Sequence, residues 1–226
     1  MVRDGQDDEI AGAMYRDMKA ERVEEYVKGP LEQLIHYEGG RAFLSASDDL
    51  LMLLVFTYVD LLGYLFKGKS KSIYAVEFIR KYYGEVDRRY TQVGGLLYDA
   101  LRHGMVHLAV PKRIKLEDGK LVDFLFIRSG QRADYLKMTK QNETQSSGDT
   151  VVVYRLTLDL PLLYGDLLSA IDSYVGDIKA NQELSDTFCK AFRTRRESEA
   201  TEAELRRRSY IQQSDFDFVR AHMSNL

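Results

Sequence analysis

Apolar positions recur along this chain first with a helical period and then with a strand period. Ile10, Met14, Met18 and Val23 repeat at helical spacing with charges opposite, so residues 8–27 are expected to form a first helix. Gly29-Pro30 breaks it, and a short segment from Leu31 to Tyr37 ends at Gly39-Gly40. Ser45 or Ser47 can cap the next helix, about 48–66, with Asp48 and Asp49 favoured in its first turn by the helix dipole. That stretch is apolar nearly all round, which places it at the centre of the core. Lys67-Gly68-Lys69-Ser70-Lys71 reads as an exposed basic turn, because the upstream glycine and preceding strand of a phosphate loop are missing. Residues 72–83, with Ile73, Val76, Phe78, Ile79 and Tyr82, form another amphipathic helix. A further element begins at Asp87 to Tyr90. The helix over 91–108 is closed by Pro111.

Beyond Pro111 the period becomes two. Arg113–Glu117 and Lys120–Arg128 flank Asp118-Gly119, a strong hairpin signal. Residues 129–149 are polar and rich in small residues, and read as a long flexible loop. Val151 to Leu160 has the β-branched alternation of a third strand. Asp159 can cap a helix over 161–181, with Pro161 tolerated in its first turn. Residues 183–196 continue helically, and 197–226 read as a solvated helix or a frayed tail. The expected fold is mainly α and a single domain over 1–226. A helical bundle at 8–110 is followed by a small antiparallel hairpin or three-stranded sheet inserted at about 113–160, and by C-terminal helices at 161–226.

Composition narrows the classes. The chain has 226 residues and a formal net charge of −3. That argues against an extended nucleic-acid coat and leaves room for a local basic cleft. The single Cys189 excludes an intrachain disulfide framework and fits a reducing compartment, so a cytoplasmic location is expected. Beside Phe188 and Phe192 it reads as a packing residue. Zinc-type Cys/His spacings are absent and His36 stands alone, so neither a metal nor a cofactor is expected. The start, MVRDGQDDEI, is too acidic and polar for a signal peptide. The longest apolar run, Leu50 to Phe66, is broken by Thr57, Asp60 and Gly63, which suits a buried helix and no membrane partner.

Candidate chemistry concentrates in LLYDALRHGMVHLAV, residues 96–110. Arg102 and His107 lie five residues apart on an otherwise apolar segment. On a regular α-helix they point roughly 140° apart, yet both reach one cleft from neighbouring turns. A guanidinium that forks onto phosphate and an imidazole that moves protons near neutral pH suit phosphodiester chemistry. The plainer alternative is an arginine paired with a carboxylate and a histidine bonded to a backbone carbonyl.

The run Leu97 to His107 resembles the signature of the HEPN superfamily: an arginine (Arg102), a polar residue directly after it (His103), and a histidine closing the spacing (His107). The resemblance extends loosely upstream to an apolar helix carrying an acidic residue, Asp60, and covers roughly 45–110. It implies an up-and-down helical bundle and a metal-independent endoribonuclease, often a toxin or defence effector, working as a homodimer. Two motif helices then meet at a two-fold axis and pool both copies of Arg102 and His107 in one groove. RNA, in single-stranded form, is the implied substrate, and a protein antitoxin an implied partner. The same resemblance also covers a non-catalytic binding or scaffold protein that uses this helix as a dimer interface.

Each residue then has an expected role. His107, with a reference pKa of about 6.5, is the base or acid. Arg102 holds the phosphate and the charge that grows at it. His103 is a second proton carrier or an orienting group. Asp60 holds Arg102 in place if their helices pack side by side, and Tyr98, one turn before Arg102, adds a hydroxyl. Attack by the 2′-hydroxyl would select RNA over DNA.

Overall fold

The computed structural model describes Gly12 and residues 41–105, 111–144, 148–196 and 201–223. Apart from Gly12, which is helical, the helix expected at 8–27 and the segment 31–37 lie outside the described residues, as does His107. The chain is mostly helical with a small sheet, and it divides into two compact units, Met1–Ala191 and Phe192–Leu226.

Helix α1 (Arg41–Lys67) is central to the first unit. It starts earlier than the apolar run, so Ser45 and Ser47 lie inside it and do not cap it; nothing between Arg41 and Leu44 breaks a helix. Met52, Val55, Phe56, Val59, Leu62 and Leu65 are all buried. The helix ends at Gly68, whose left-handed φ of 68° lets its N–H return to the Tyr64 carbonyl at 2.7 Å. Helix α2 (Ser72–Phe78) continues into a π-helical stretch, Ile79–Tyr83, and a last turn, Gly84–Val86. Helix α3 (Arg89–Leu97) likewise continues into a π-helical stretch, Tyr98–His103. Helices α4 (Leu160–Ala180) and α5 (Gln182–Arg196) follow the sheet.

The helices lock at two kinds of contact. Phe66, Phe78, Tyr82 and Tyr174 form an aromatic cluster with ring centroids 4.8 to 6.3 Å apart, mostly edge-to-face. Such pairs add about 0.5–1.5 kcal/mol each beyond the area they bury. The second contact is backbone on backbone. A Cβ on Gly63 would stand 2.5 Å from the Ala75 nitrogen, so α1 and α2 cross with nothing between their main chains.

The sheet has four strands: β1 (Ile114–Lys115), β2 (Leu121–Ile127), β3 (Met138–Thr144) and β4 (Thr150–Asp159), in the order β1-β2-β4-β3. The hairpin β1–β2 turns at Gly119, whose φ is 81°. The sheet is mixed, not an antiparallel three-stranded insertion: β2 runs parallel to β4, from Leu121 opposite Val153 to Ile127 opposite Asp159, and β3 runs antiparallel to β4. The stretch 129–149, expected as a loop, therefore holds a strand. β3 escapes an alternation test because it is an edge strand, mostly exposed on both faces.

The crossover from β2 to β3 is pinned by carboxylates. Asp159, fully buried, caps α4 at the Leu162 N–H (3.3 Å). Its other oxygen accepts from the Ser129 N–H, the Ser129 hydroxyl and the Gly130 N–H, all at 2.7–2.8 Å. Arg132 forks onto the buried Asp166 at 2.7 and 2.5 Å, and the Tyr90 hydroxyl donates to the same carboxylate at 2.9 Å. Tyr90 also shares a hydrogen bond with Tyr135, while Arg89 ties Asp87 to the Tyr135 carbonyl. At the end of the crossover Leu136 takes a left-handed φ of 50°, held by its N–H on the Thr157 carbonyl.

The second unit holds α6 (Glu202–Leu205) and α7 (Gln213–Met223). Thr201 and Glu204 form a reciprocal capping box, and Glu202 accepts from both Arg206 and Arg220.

Two stability outcomes follow from these contacts. Gly63→Ala gains about 1 kcal/mol of helix propensity but must force the α1 and α2 backbones apart, an overpacking cost of about 3 kcal/mol. Chemical denaturation should register a net loss, and an equally stable variant would refute the close crossing. Arg132→Leu should cost about 2 kcal/mol by leaving Asp166 buried with Tyr90 as its remaining donor. Adding Asp166→Leu should recover some of that loss; additive losses would show that the pair is not coupled.

Candidate functional site

The fold brings three of the sequence-selected side chains together. Asp60 lies on α1, and Tyr98 and Arg102 lie on the π-helical stretch that ends α3. The Tyr98 hydroxyl donates to Asp60 Oδ1 at 2.5 Å, and Arg102 Nε donates to Asp60 Oδ2 at 2.8 Å. One carboxylate therefore clamps two groups one turn apart. About a third of each partner's side chain in the ion pair is exposed, 29% for Arg102 and 31% for Asp60, so the pair sits at the rim of the core. At that exposure its contribution is at most about 1 kcal/mol. Its structural effect is orientation.

The π-helical stretch decides what else reaches the cluster. Its hydrogen bonds span five residues instead of four, so residues five apart come to the same side. Tyr98 and His103 show the consequence: their rings meet edge-to-face with centroids 5.9 Å apart. On a regular α-helix that pair would point roughly 140° apart. Arg102 and His107 have the same spacing, but His107 and the rest of residues 106–110 lie outside the described residues. Just beyond them the Lys112 N–H returns to the Ala100 carbonyl at 2.9 Å, tying the exit of the motif segment to its π-helical stretch.

Burial pushes the Tyr98 phenol up from its ordinary value, and donation to Asp60 adds to the shift. The Ser72 side chain, at the start of α2, works the other way. The hydroxyl thus stays protonated and donating across the neutral range. Arg102 Nη1 and Nη2 make no bond to a described residue, and they form the unengaged edge of the cluster among the described residues. This edge fits an anion with paired oxygens.

Other charged groups are engaged elsewhere. Arg132, Arg89, Asp87 and Asp166 form the crossover network described above, a set that sequence reading did not single out. Its residues fall in distant segments, and only the pinned crossover joins them. Lys81 binds Asp177 at 2.5 Å, beside Tyr82, whose phenol burial pushes up to about 12. Among the described residues no group of three His, Cys, Asp or Glu side chains is placed to hold a metal ion, and no helix is long and apolar enough to cross a membrane.

No family model matches this chain, and no curated protein or solved structure matches it.

The Tyr98 bond has a pH signature. A phenol raised in the folded state contributes stability that is complete below its unfolded value, about pH 10, and fades as pH rises through the folded value. Tyr98→Phe should therefore cost about 1 kcal/mol near neutrality. In urea titrations the gap to wild type should narrow above about pH 10. A gap that holds constant into strong alkali would remove Tyr98 from the clamp.

Proposed function

We propose that this protein is a HEPN-type helical bundle and a metal-independent endoribonuclease that cleaves single-stranded RNA as a cytoplasmic homodimer. The supporting observation is the asymmetry at Arg102: Asp60 holds it by Nε alone at a half-buried rim, and neither Nη group bonds another described residue. An arginine placed only to staple two helices gains by turning its fork onto the carboxylate, as Arg132 does on Asp166. Arg102 instead leaves its fork off the carboxylate, and a fork of paired N–H groups suits a phosphodiester.

The chemistry then runs as follows. The 2′-oxygen attacks the adjacent phosphorus as its proton leaves to a base. The bond from phosphorus to the 5′-oxygen breaks, and that oxygen takes a proton from an acid. The products are a cyclic 2′,3′-phosphate and a free 5′-hydroxyl. His107 is the proton carrier, and in a two-fold dimer its two copies divide the base and acid roles. Arg102 binds the phosphate oxygens and stabilises the charge that grows on them. Tyr98 and Asp60 fix the direction of Arg102, and His103, packed on Tyr98, borders the same groove. Such an activity suits a toxin or defence effector restrained by a protein antitoxin.

The decisive measurement compares wild type with His107→Ala and Arg102→Ala on single-stranded RNA in the presence of chelator. Wild type should leave cyclic phosphate ends. His107→Ala should lose about 10²–10⁴-fold, and Arg102→Ala about 10²–10³-fold, with melting and dimerisation unchanged. Equal cutting by all three would trace the activity to a contaminant. If none cuts and the variants turn monomeric, the helix is an interface and the protein a scaffold.

A further inference from the structure

The basic turn between α1 and α2 has no role in that mechanism, yet it lies next to the cluster. Lys67, Lys69 and Lys71 place three cations within five residues of a chain whose net charge is −3. The turn is a built one. Gly68 closes α1 in the left-handed region, Lys71 is extended at φ −146° and ψ 139°, and the Tyr74 N–H bonds the Lys71 carbonyl at 3.0 Å. Lys67 is spoken for, 3.0 Å from Glu77. Lys69 and Lys71 are exposed and have no carboxylate partner among the described residues.

Their position follows from the close crossing of α1 and α2. Gly63 touches the backbone of Ala75; Asp60 is one turn before Gly63, and Ser72 one turn before Ala75. The Tyr98 hydroxyl bonds Asp60, and the Ser72 side chain acts on the same phenol. Lys71 directly precedes Ser72, and Lys69 is three residues away, at most about 11 Å along the chain. Lys71 and Lys69 thus stand in sequence beside the α2 end of the cluster that holds Arg102, and neither has a carboxylate partner among the described residues. A nearby pocket of about 280 Å³, lined by Phe66, Lys67, Lys81 and Glu183, offers a contrast. Its two lysines are neutralised by Glu77 and Asp177, so it has no surplus charge for an anion.

We propose that Lys69 and Lys71 bind the phosphates flanking the one held by Arg102, so that the α1–α2 turn forms the binding track for single-stranded RNA. The proposal rests on the ribonuclease reading in taking RNA as the ligand. It adds where the strand lies. Contacts of this kind release counterions, and the slope of log affinity against log salt changes by about 0.7 for each phosphate contact to a single strand.

The test uses the full chain and an RNA of about twelve nucleotides carrying 2′-O-methyl groups throughout, which binds but cannot be cut. The double variant Lys69→Gln, Lys71→Gln should bind more weakly, with a salt slope shallower by about 1.4. Its melting should match wild type. A control pair on the sheet, Lys115→Gln with Lys140→Gln, should keep the wild-type slope. Equal flattening by both pairs would mean diffuse attraction and overturn the proposal, as would an unchanged slope in the turn variant or no binding by wild type. An ordinary RNA assayed in parallel separates the two ideas. Wild type that binds with a lysine-dependent slope but never cuts defeats the ribonuclease and keeps the track. Wild type that cuts while the turn variant retains its slope defeats the track alone.

Discussion

The close approach of α1 and α2 at Gly63 governs the region that matters most in this fold. Two helices without intervening side chains cannot slide or rotate freely, because every other pair of facing residues is set by that contact. It sets how α1, which carries the Tyr98 partner Asp60, stands against α2, whose Ser72 acts on the same phenol. It also fixes where the basic turn lies, since only four residues separate the end of α1 from the start of α2. A glycine in a helix costs about 1 kcal/mol relative to alanine. Here that cost is offset by a geometry that no larger residue permits.

Much of the architecture was legible from local signals with a local cause. The apolar period placed α2, α4 and the end of α1 within a few residues, while α1 starts seven residues before the expected position 48. Asp118-Gly119 located the hairpin, and Asp159 followed by Pro161 located the start of α4. The misreadings share one origin, which is that the deciding partner is distant in sequence. Polar β3 is a strand because it pairs with β4, and β2 runs parallel to β4 because Asp159 and Asp166 hold the crossover across the end of β4. Composition at 129–149 reports solvent exposure, and exposure is compatible with an edge strand as well as with a loop.

The candidate site was legible in its residues but not in its geometry. A regular helical repeat sends positions five apart to different sides, whereas the π-helical stretch returns them to the same side, as Tyr98 and His103 demonstrate. Tight packing accompanies that change of winding upstream: a Cβ at Gly94 would meet Ile79 at 2.8 Å, so α3 is pressed against the π-helical stretch of its neighbour. Side-chain pattern alone does not encode such a register change, because it depends on the space that another helix leaves.

Two arginine–aspartate pairs in one unit show how the same chemical partners serve different ends. Asp166 is 1% exposed, and an isolated carboxylate there would be prohibitively costly. Arg132 meets it with both Nη groups, Tyr90 adds a third donor, and the guanidinium lies 5.4 Å from the Tyr135 ring centroid. The fork of Arg132 is turned onto the carboxylate, which makes its burial tolerable. Asp60 is roughly a third exposed, so water already relieves it, and a single Nε bond suffices to aim Arg102. The stability gained from that bond is small because solvent screens it, and neither Nη group bonds another described residue. Exposure of the carboxylate, not of the arginine, is therefore what separates the two pairs: Asp166 is 1% exposed under an arginine that is 43% exposed, and Asp60 is 31% exposed under one that is 29% exposed.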